Sequence, residues 1–383
     1  MKRYKWFFLI VVSGVILSCT RTSEEELVGD WQLRADFPRS GRCHAATFVI
    51  DNKGYVISGF NGYQLRPEVV AFDHVAGAWT ELSDLPGHIP VRQQAVGFSL
   101  KKSDGKSYGY IGTGWCFLGV DRDSTLRDFW QYDPESDTWE EAASLPAAAQ
   151  RRRGAIAFSL KTGNKEYGFV GCGYSGEPDG EFLQDFWKFD PNDETDGKIG
   201  KWTRLEGYGG RKRAGAMAFV VDNKAYICLG ENPNNVTDFW RFDPNAEGKQ
   251  WESDPPRQMT DANKDEDYDD DYFGKLPRAF GVAYVAEVGG ELRGHVVGGK
   301  IGSGFTNWEY NHHPVSDGGD LWVQRTHFYN NVTQQTREGM ISFSFPNTGR
   351  AFAGMGKYGM NSYLDDLWEF KPLIEDYTYN DYK

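Results

Sequence analysis

Residues 152–158 read Arg152-Arg153-Gly154-Ala155-Ile156-Ala157-Phe158. Then come Phe169-Val170-Gly171-Cys172-Gly173, Asp185-Phe186-Trp187-Lys188-Phe189-Asp190 and a lone Trp202. Small, β-branched and aromatic residues in short runs broken by turn formers point to short strands, not helices. The same four pieces recur along the chain. An Arg with an aromatic six residues later appears as Arg42/Phe48, Arg92/Phe98, Arg152/Phe158, Arg213/Phe219, Arg278/Tyr284 and Arg337/Phe343. Each is followed by an apolar run ending in glycine, such as Tyr55-Val56-Ile57-Ser58-Gly59 or His295-Val296-Val297-Gly298-Gly299. The Asp-aromatic piece is strong at Asp128, Asp185 and Asp238, and weaker at Asp320-Leu321-Trp322 and Asp366-Leu367-Trp368. Trp79, Trp139, Trp202 and Trp251 open the fourth piece.

Self-similarity at this period decides the architecture. Four short strands in every 50 to 65 residues, roughly, is the arithmetic of a β-propeller blade. The Arg-led first strand, glycine-terminated second, aromatic-Asp third and Trp fourth resemble kelch repeats. The resemblance covers about residues 30 to 372, and it implies an all-β, six-bladed kelch-type propeller. The last copy lacks its Trp strand, whereas Gly29-Asp30-Trp31-Gln32-Leu33 supplies one at the other end of the chain. Pairing that N-terminal strand into the last blade would close the ring and remove an exposed edge. Blade five is expected to carry a long loop from Lys300 to Gly319, holding Trp308, Tyr310, His312 and His313.

Composition agrees with this reading and narrows the partners. Of 383 residues, 39% are hydrophobic and 15% aromatic, which excludes a disordered chain. A formal charge of −13 argues against nucleic acid, which needs a basic surface.

The first residues form an address. Lys2, Arg3 and Lys5 precede an apolar run from Trp6 to Leu17, too short for a bilayer-spanning helix. The run ends in Ile16-Leu17-Ser18-Cys19, which resembles a bacterial lipobox with Cys19 as the lipidated residue. Ser23-Glu24-Glu25-Glu26 resembles the export tag of Bacteroidota lipoproteins displayed on the outer membrane. The expected organisation is a signal peptide over 1–18, a tether over 19–29, the propeller over 30–372 and a polar tail over 373–383. The mature chain would carry a charge of about −16, so acyl chains at Cys19 must anchor it, not attraction to anionic headgroups.

In kelch-type propellers the first strand lines the central channel. The resemblance therefore implies that Arg42, Arg92, Arg152, Arg213, Arg278 and Arg337 ring one channel mouth. Two readings follow: an anion-binding funnel, or structural pairing with the acids that open each third strand (Glu68, Asp128, Asp185, Asp238, Asp320, Asp366). On the same face, the residue after the second-strand glycine varies from blade to blade: Phe60, Trp115, Tyr174, Glu231, Lys300 and Lys357. Aromatics mixed with acid and amines suit a carbohydrate. His44 and Arg153 are further asymmetric candidates, and Trp308 and Tyr310 belong to the expected specificity loop.

Metal and redox signals are sparse. Asp261, Asn263, Asp265 and Asp267 place oxygen donors at alternate positions, as calcium requires, but without the glycine and closing Glu of an EF-hand. The alternative is a solvated acidic loop, with no cofactor. Cys172 and Cys228 read as core thiols, and Cys43 and Cys116 sit near enough at the expected mouth for a disulfide. Two functions remain open. One is a surface-displayed module binding a glycan or a protein of an outer-membrane complex. The other is a sugar enzyme similar to N-acetylneuraminate epimerases, with Glu231 as the acid/base. Copper-dependent oxidation like that of galactose oxidase has no recognisable ligand arrangement here.

Overall fold

The computed structural model describes residues 27–117, 123–176, 180–194, 197–252, 275–300, 305–311, 322–328 and 336–373. These residues form six antiparallel blades around one axis, five of four strands and the last of five. Blade 1 is Ala46–Ile50, Lys53–Ile57, Val69–Asp73 and Ala78–Glu81, paired in that order. Blades 2, 3 and 4 repeat it, beginning at Val96–Lys101, Ile156–Thr162 and Met217–Val221. Blade 5 runs Ala279–Val288, Glu291–Lys300, Asn307–Tyr310 and Trp322–Arg325. Blade 6 is Arg337–Glu338 and Ile341–Phe345, both paired with Arg350–Tyr358, then Ser362–Lys371, with Asp30–Leu33 as its outer strand.

The closing strand is in register over its whole length, Asp30 opposite Lys371 and Leu33 opposite Trp368. Trp31 anchors it: its ring lies 4.7 Å from Phe328, and its indole N–H donates to the Thr326 carbonyl at 3.1 Å. Because Asp30 pairs with the far end of the third strand, residues 27–30 lie on the face opposite the Arg-bearing mouth.

The core lies between blades, and it explains the aromatic six residues after each Arg. Phe48, Phe98, Phe219 and Phe343 each fill the space where a Cβ would stand on Gly109, Gly168, Gly294 and Gly54 of the next blade. Phe158 and Tyr284 pack in the same clusters as Ala225 and Ala351. One large ring and one tiny partner at every junction is a sterically matched pair. Enlarging the partner would drive the ring off its rotamer.

Blade 5 differs from the sequence expectation. Its third strand is Asn307–Tyr310, and Trp322 opens the fourth strand. There is thus no single long loop from Lys300 to Gly319. Trp308 and Tyr310 are 3% and 4% exposed within the core. They cannot serve as lid residues. The cause is a degenerate motif: Thr306-Asn307-Trp308 stands where other blades have Asp-Phe-Trp. Asp320, His312 and His313 lie outside the described residues, as do Cys19 and the acidic run containing Asp261, Asn263, Asp265 and Asp267.

Candidate functional site at the channel mouth

The six arginines are all buried, at most 1% exposed. Each donates to the carbonyl or acid that holds its own blade together. Arg92 is bidentate to Asp128 at 2.8 and 2.7 Å and also reaches the Thr113 carbonyl at 3.1 Å. Arg152 repeats this with Asp185 and Cys172, Arg213 with Asp238 and Leu229. Arg42 pairs with Glu68 and Arg337 with Asp366. In four blades the Trp two residues after the acid donates to the same carboxylate, as Trp130 does to Asp128 at 2.7 Å. In blade 5, Thr306 takes the acid's place, accepting from Arg278 and from Trp308. None of these guanidinium groups is available to a ligand. The ring of arginines belongs to the blades, each guanidinium held by its own blade although Arg42 Nη2, Arg152 Nε and Arg337 Nε and Nη2 find no hydrogen-bond partner.

What faces the mouth is the layer above. The variable residues Phe60, Trp115, Tyr174 and Glu231 bridge to Cys43, Gln93, Arg153 and Ala214, the residues that follow each ring Arg. Lys300 and Lys357 hold the same place opposite Ala279 and Glu338. These positions split into two halves. Phe60 packs edge-on against Tyr363 at 5.8 Å, and Trp115 against Phe117 at 4.3 Å. The polar half clusters instead: Arg153 lies 5.3 Å over the Tyr174 ring and donates to Gln94 Oε1 at 3.2 Å. Glu231 pairs with Lys300 at 2.9 Å, and Lys357 with Glu338 at 3.5 Å. Gln94, Arg153, Tyr174, Phe182, Glu231 and Phe280 enclose an open cavity of about 230 Å³.

His44 stands on the axis, edge-on to Phe280 at 5.6 Å. Burial pushes its pKa down to about 4, helped by Lys357, Arg153 and Lys300, so the imidazole is neutral at pH 7. Three cationic side chains, Lys357, Arg153 and Lys300, thus stand near the imidazole. Gln94, Phe182 and Phe280 were not among the sequence candidates. Gln94 and Phe280 were detectable, because they occupy the place two residues after the ring Arg that is glycine in blades 3, 4 and 6.

The four cysteines beyond Cys19 are buried thiols, and Cys43 and Cys116 are not joined in a disulfide. Burial pushes the Cys43, Cys172 and Cys228 thiols up to about 12, which leaves them inert. Among the described residues, no group of three or more His, Cys, Asp or Glu side chains is arranged to hold a metal ion.

A model of the Kelch motif matches residues 114–146, which run from the second-strand glycine of blade 2 to just past its Trp strand. The chain is a six-bladed β-propeller with a Kelch motif. Among solved structures 325 chains match significantly. One of them, the structure of YjhT, superposes with a TM-score of 0.63 at 14% identity, covering 87% of this chain and 95% of that one. That likeness is one of fold. No curated protein matches the sequence significantly.

Proposed function

We propose that this propeller is a cell-surface lipoprotein that captures a glycan at its channel mouth. One observation carries the reading. Some of the side chains that break the six-fold repeat, Gln94, Arg153, Tyr174, Glu231 and Phe280, gather around one cavity, and they combine aromatic faces with hydrogen-bonding and cationic heads. Tyr174, Phe182 and Phe280 offer apolar faces for a pyranose ring, while Gln94, Glu231 and Arg153 offer partners for its hydroxyls or for an acidic substituent. About 230 Å³ suits the end of a saccharide and is small for a protein interface. Anchoring at Cys19, with the tether joining on the opposite face, would leave the mouth pointing away from the outer membrane.

The test is a glycan array with the soluble chain (residues 20–383), followed by calorimetry with methyl β-D-glucuronide and methyl β-D-glucoside. Saturable binding that is lost in Arg153→Ala or Tyr174→Ala supports the reading. Absence of any glycan ligand, with capture of an outer-membrane protein instead, overturns it. The enzymatic alternative is tested in parallel by NMR, following anomer or epimer exchange of N-acetylneuraminate. Its acid/base would be Glu231, a carboxylate already committed to Lys300 at 2.9 Å. Turnover lost in Glu231→Gln would favour that alternative.

A further inference from the structure

The channel is closed by a ring of six backbone hydrogen bonds, one per blade. His44 N–H donates to Gly339 O at 2.8 Å, Gln94 to His44 at 3.0 Å, and Gly154 to Gln94 at 3.0 Å. Gly215 donates to Gly154 at 2.8 Å, Phe280 to Gly215 at 2.8 Å, and Gly339 to Phe280 at 2.9 Å, returning to the start. To reach both neighbours every ring residue adopts left-handed backbone, with φ between 54° and 63°. Glycine is the natural occupant of that conformation, whereas an L-residue is strained there. Three blades use glycine. The other three use His44, Gln94 and Phe280.

A second left-handed ring shows that these three are unusual. At the residue before each second-strand glycine stand Ser58, Thr113, Cys172, Leu229 and Met355, also with φ near 60°. Those side chains are fully buried, so packing offsets the strain. His44, Gln94 and Phe280 are only half-buried and line the mouth. Their glycine neighbours are shaped around them. A Cβ on Gly215 would lie 2.7 Å from the Phe280 ring, and one on Gly154 3.1 Å from it. A Cβ on Gly339 would lie 2.7 Å from His44 Nδ1. Phe280 therefore covers two glycines and His44 a third, and together they cap the channel under the cavity.

We propose that His44, Gln94 and Phe280 are the specificity-determining floor of the ligand site, retained against the stability of the fold. This rests on the glycan reading above. Phe280 presents an apolar ring on which a sugar face stacks, Gln94 presents an amide, and the neutral His44 imidazole presents one donor and one acceptor. The floor thus selects a hydroxyl-bearing ring lying across the axis, and Arg153 reads its substituent from the wall.

The experiment uses the full-length chain in detergent micelles and its His44→Gly, Gln94→Gly and Phe280→Gly variants, with Leu229→Gly as the buried-ring control. Melting temperature is read beside calorimetric binding of methyl β-D-glucuronide and methyl β-D-glucoside. The three floor variants should melt at or roughly 1–3 °C above wild type, while Leu229→Gly melts well below it, and their binding of the better probe should fall at least tenfold. Floor variants that melt as low as Leu229→Gly, or that bind as wild type does, overturn the proposal. If wild type binds neither probe nor any arrayed glycan, the glycan reading fails. A raised melting temperature in the floor variants would then still support three residues held at the mouth against stability.

Discussion

At the scale of single residues, the propeller is built on a repeated unit of Arg, acid and Trp. The ring Arg ties the first strand to the end of the second, its acid fixes the start of the third, and the Trp indole completes the carboxylate's partners. Removing one member leaves a buried charge unpaired, so Asp185→Asn should destabilise the fold by about 3–5 kcal/mol in denaturant titration. Arg153 is the contrasting residue, stacked on Tyr174 and aimed at the cavity. Arg153→Ala should change stability by less than about 0.5 kcal/mol, as surface substitutions usually do, while weakening glycan binding at least tenfold. The sequence shows that Arg recurs, but whether its head faces inward or outward depends on the carbonyls of Thr113, Cys172 and Leu229. Those groups are 16 to 21 residues away along the chain and adjacent only once the hairpin forms.

At the scale of strands, the closing segment Asp30–Leu33 carries the largest consequence. It buries Trp31 and brings Arg34 to Glu369, where Arg350 and Lys371 also converge. Deleting residues 30–35 should lower the melting temperature of the whole ring, not of one blade, because an unpaired third strand would expose an edge and the Trp31 site. Glu369 is fully buried, and although burial opposes it, hydrogen bonds from Arg350, Lys371 and Arg34 hold its pKa near about 2. A carboxylate depressed below its unfolded value stabilises the fold above pH 4.5, and that contribution is lost as pH falls from 4.5 towards 2. Glu369→Gln should therefore destabilise at pH 7 and flatten the acid limb in that window. The closing strand was legible in the sequence from Trp31 and the missing Trp of the last repeat. Blade 5 was not, because Thr306 performs the acid's role with a hydroxyl and so leaves no charge pattern to find.

At the scale of the whole molecule, six blades meet in a cyclic set of backbone hydrogen bonds, and that closure sets the mouth and the entering segment 27–30 on opposite faces. Four histidines are held neutral in it, among them His74, whose pKa is lowered by burial and by Arg350. Burial pushes the pKa values of His44, His295 and His327 down to about 4. A histidine depressed in the fold gives stability that is complete above its unfolded value near 6.5 and lost as pH falls from there to 4. The melting temperature should drop over that interval. His295→Phe, which keeps the stack on Tyr284 at 4.8 Å, should remove part of this dependence. If the tether holds the chain at the outer membrane, Cys19→Ala or globomycin should release the protein. A thiol introduced at Tyr63, which is 94% exposed on the mouth face, should react with an impermeant maleimide on intact cells.

The sequence by itself determined the blade count, the order of strands outside blade 5 and the closing partner, because each repeat pairs mostly with itself through short hairpins whose signals are local. It also showed which residues vary after each second-strand glycine. The tertiary structure alone decided that the arginines are buried and that Trp308 and Tyr310 are core. It also decided that Gln94, Arg153, Tyr174, Glu231 and Phe280, spread over four blades, share one cavity. Those outcomes depend on which way a side chain points once six sheets surround an axis, and no local pattern of residues encodes that direction.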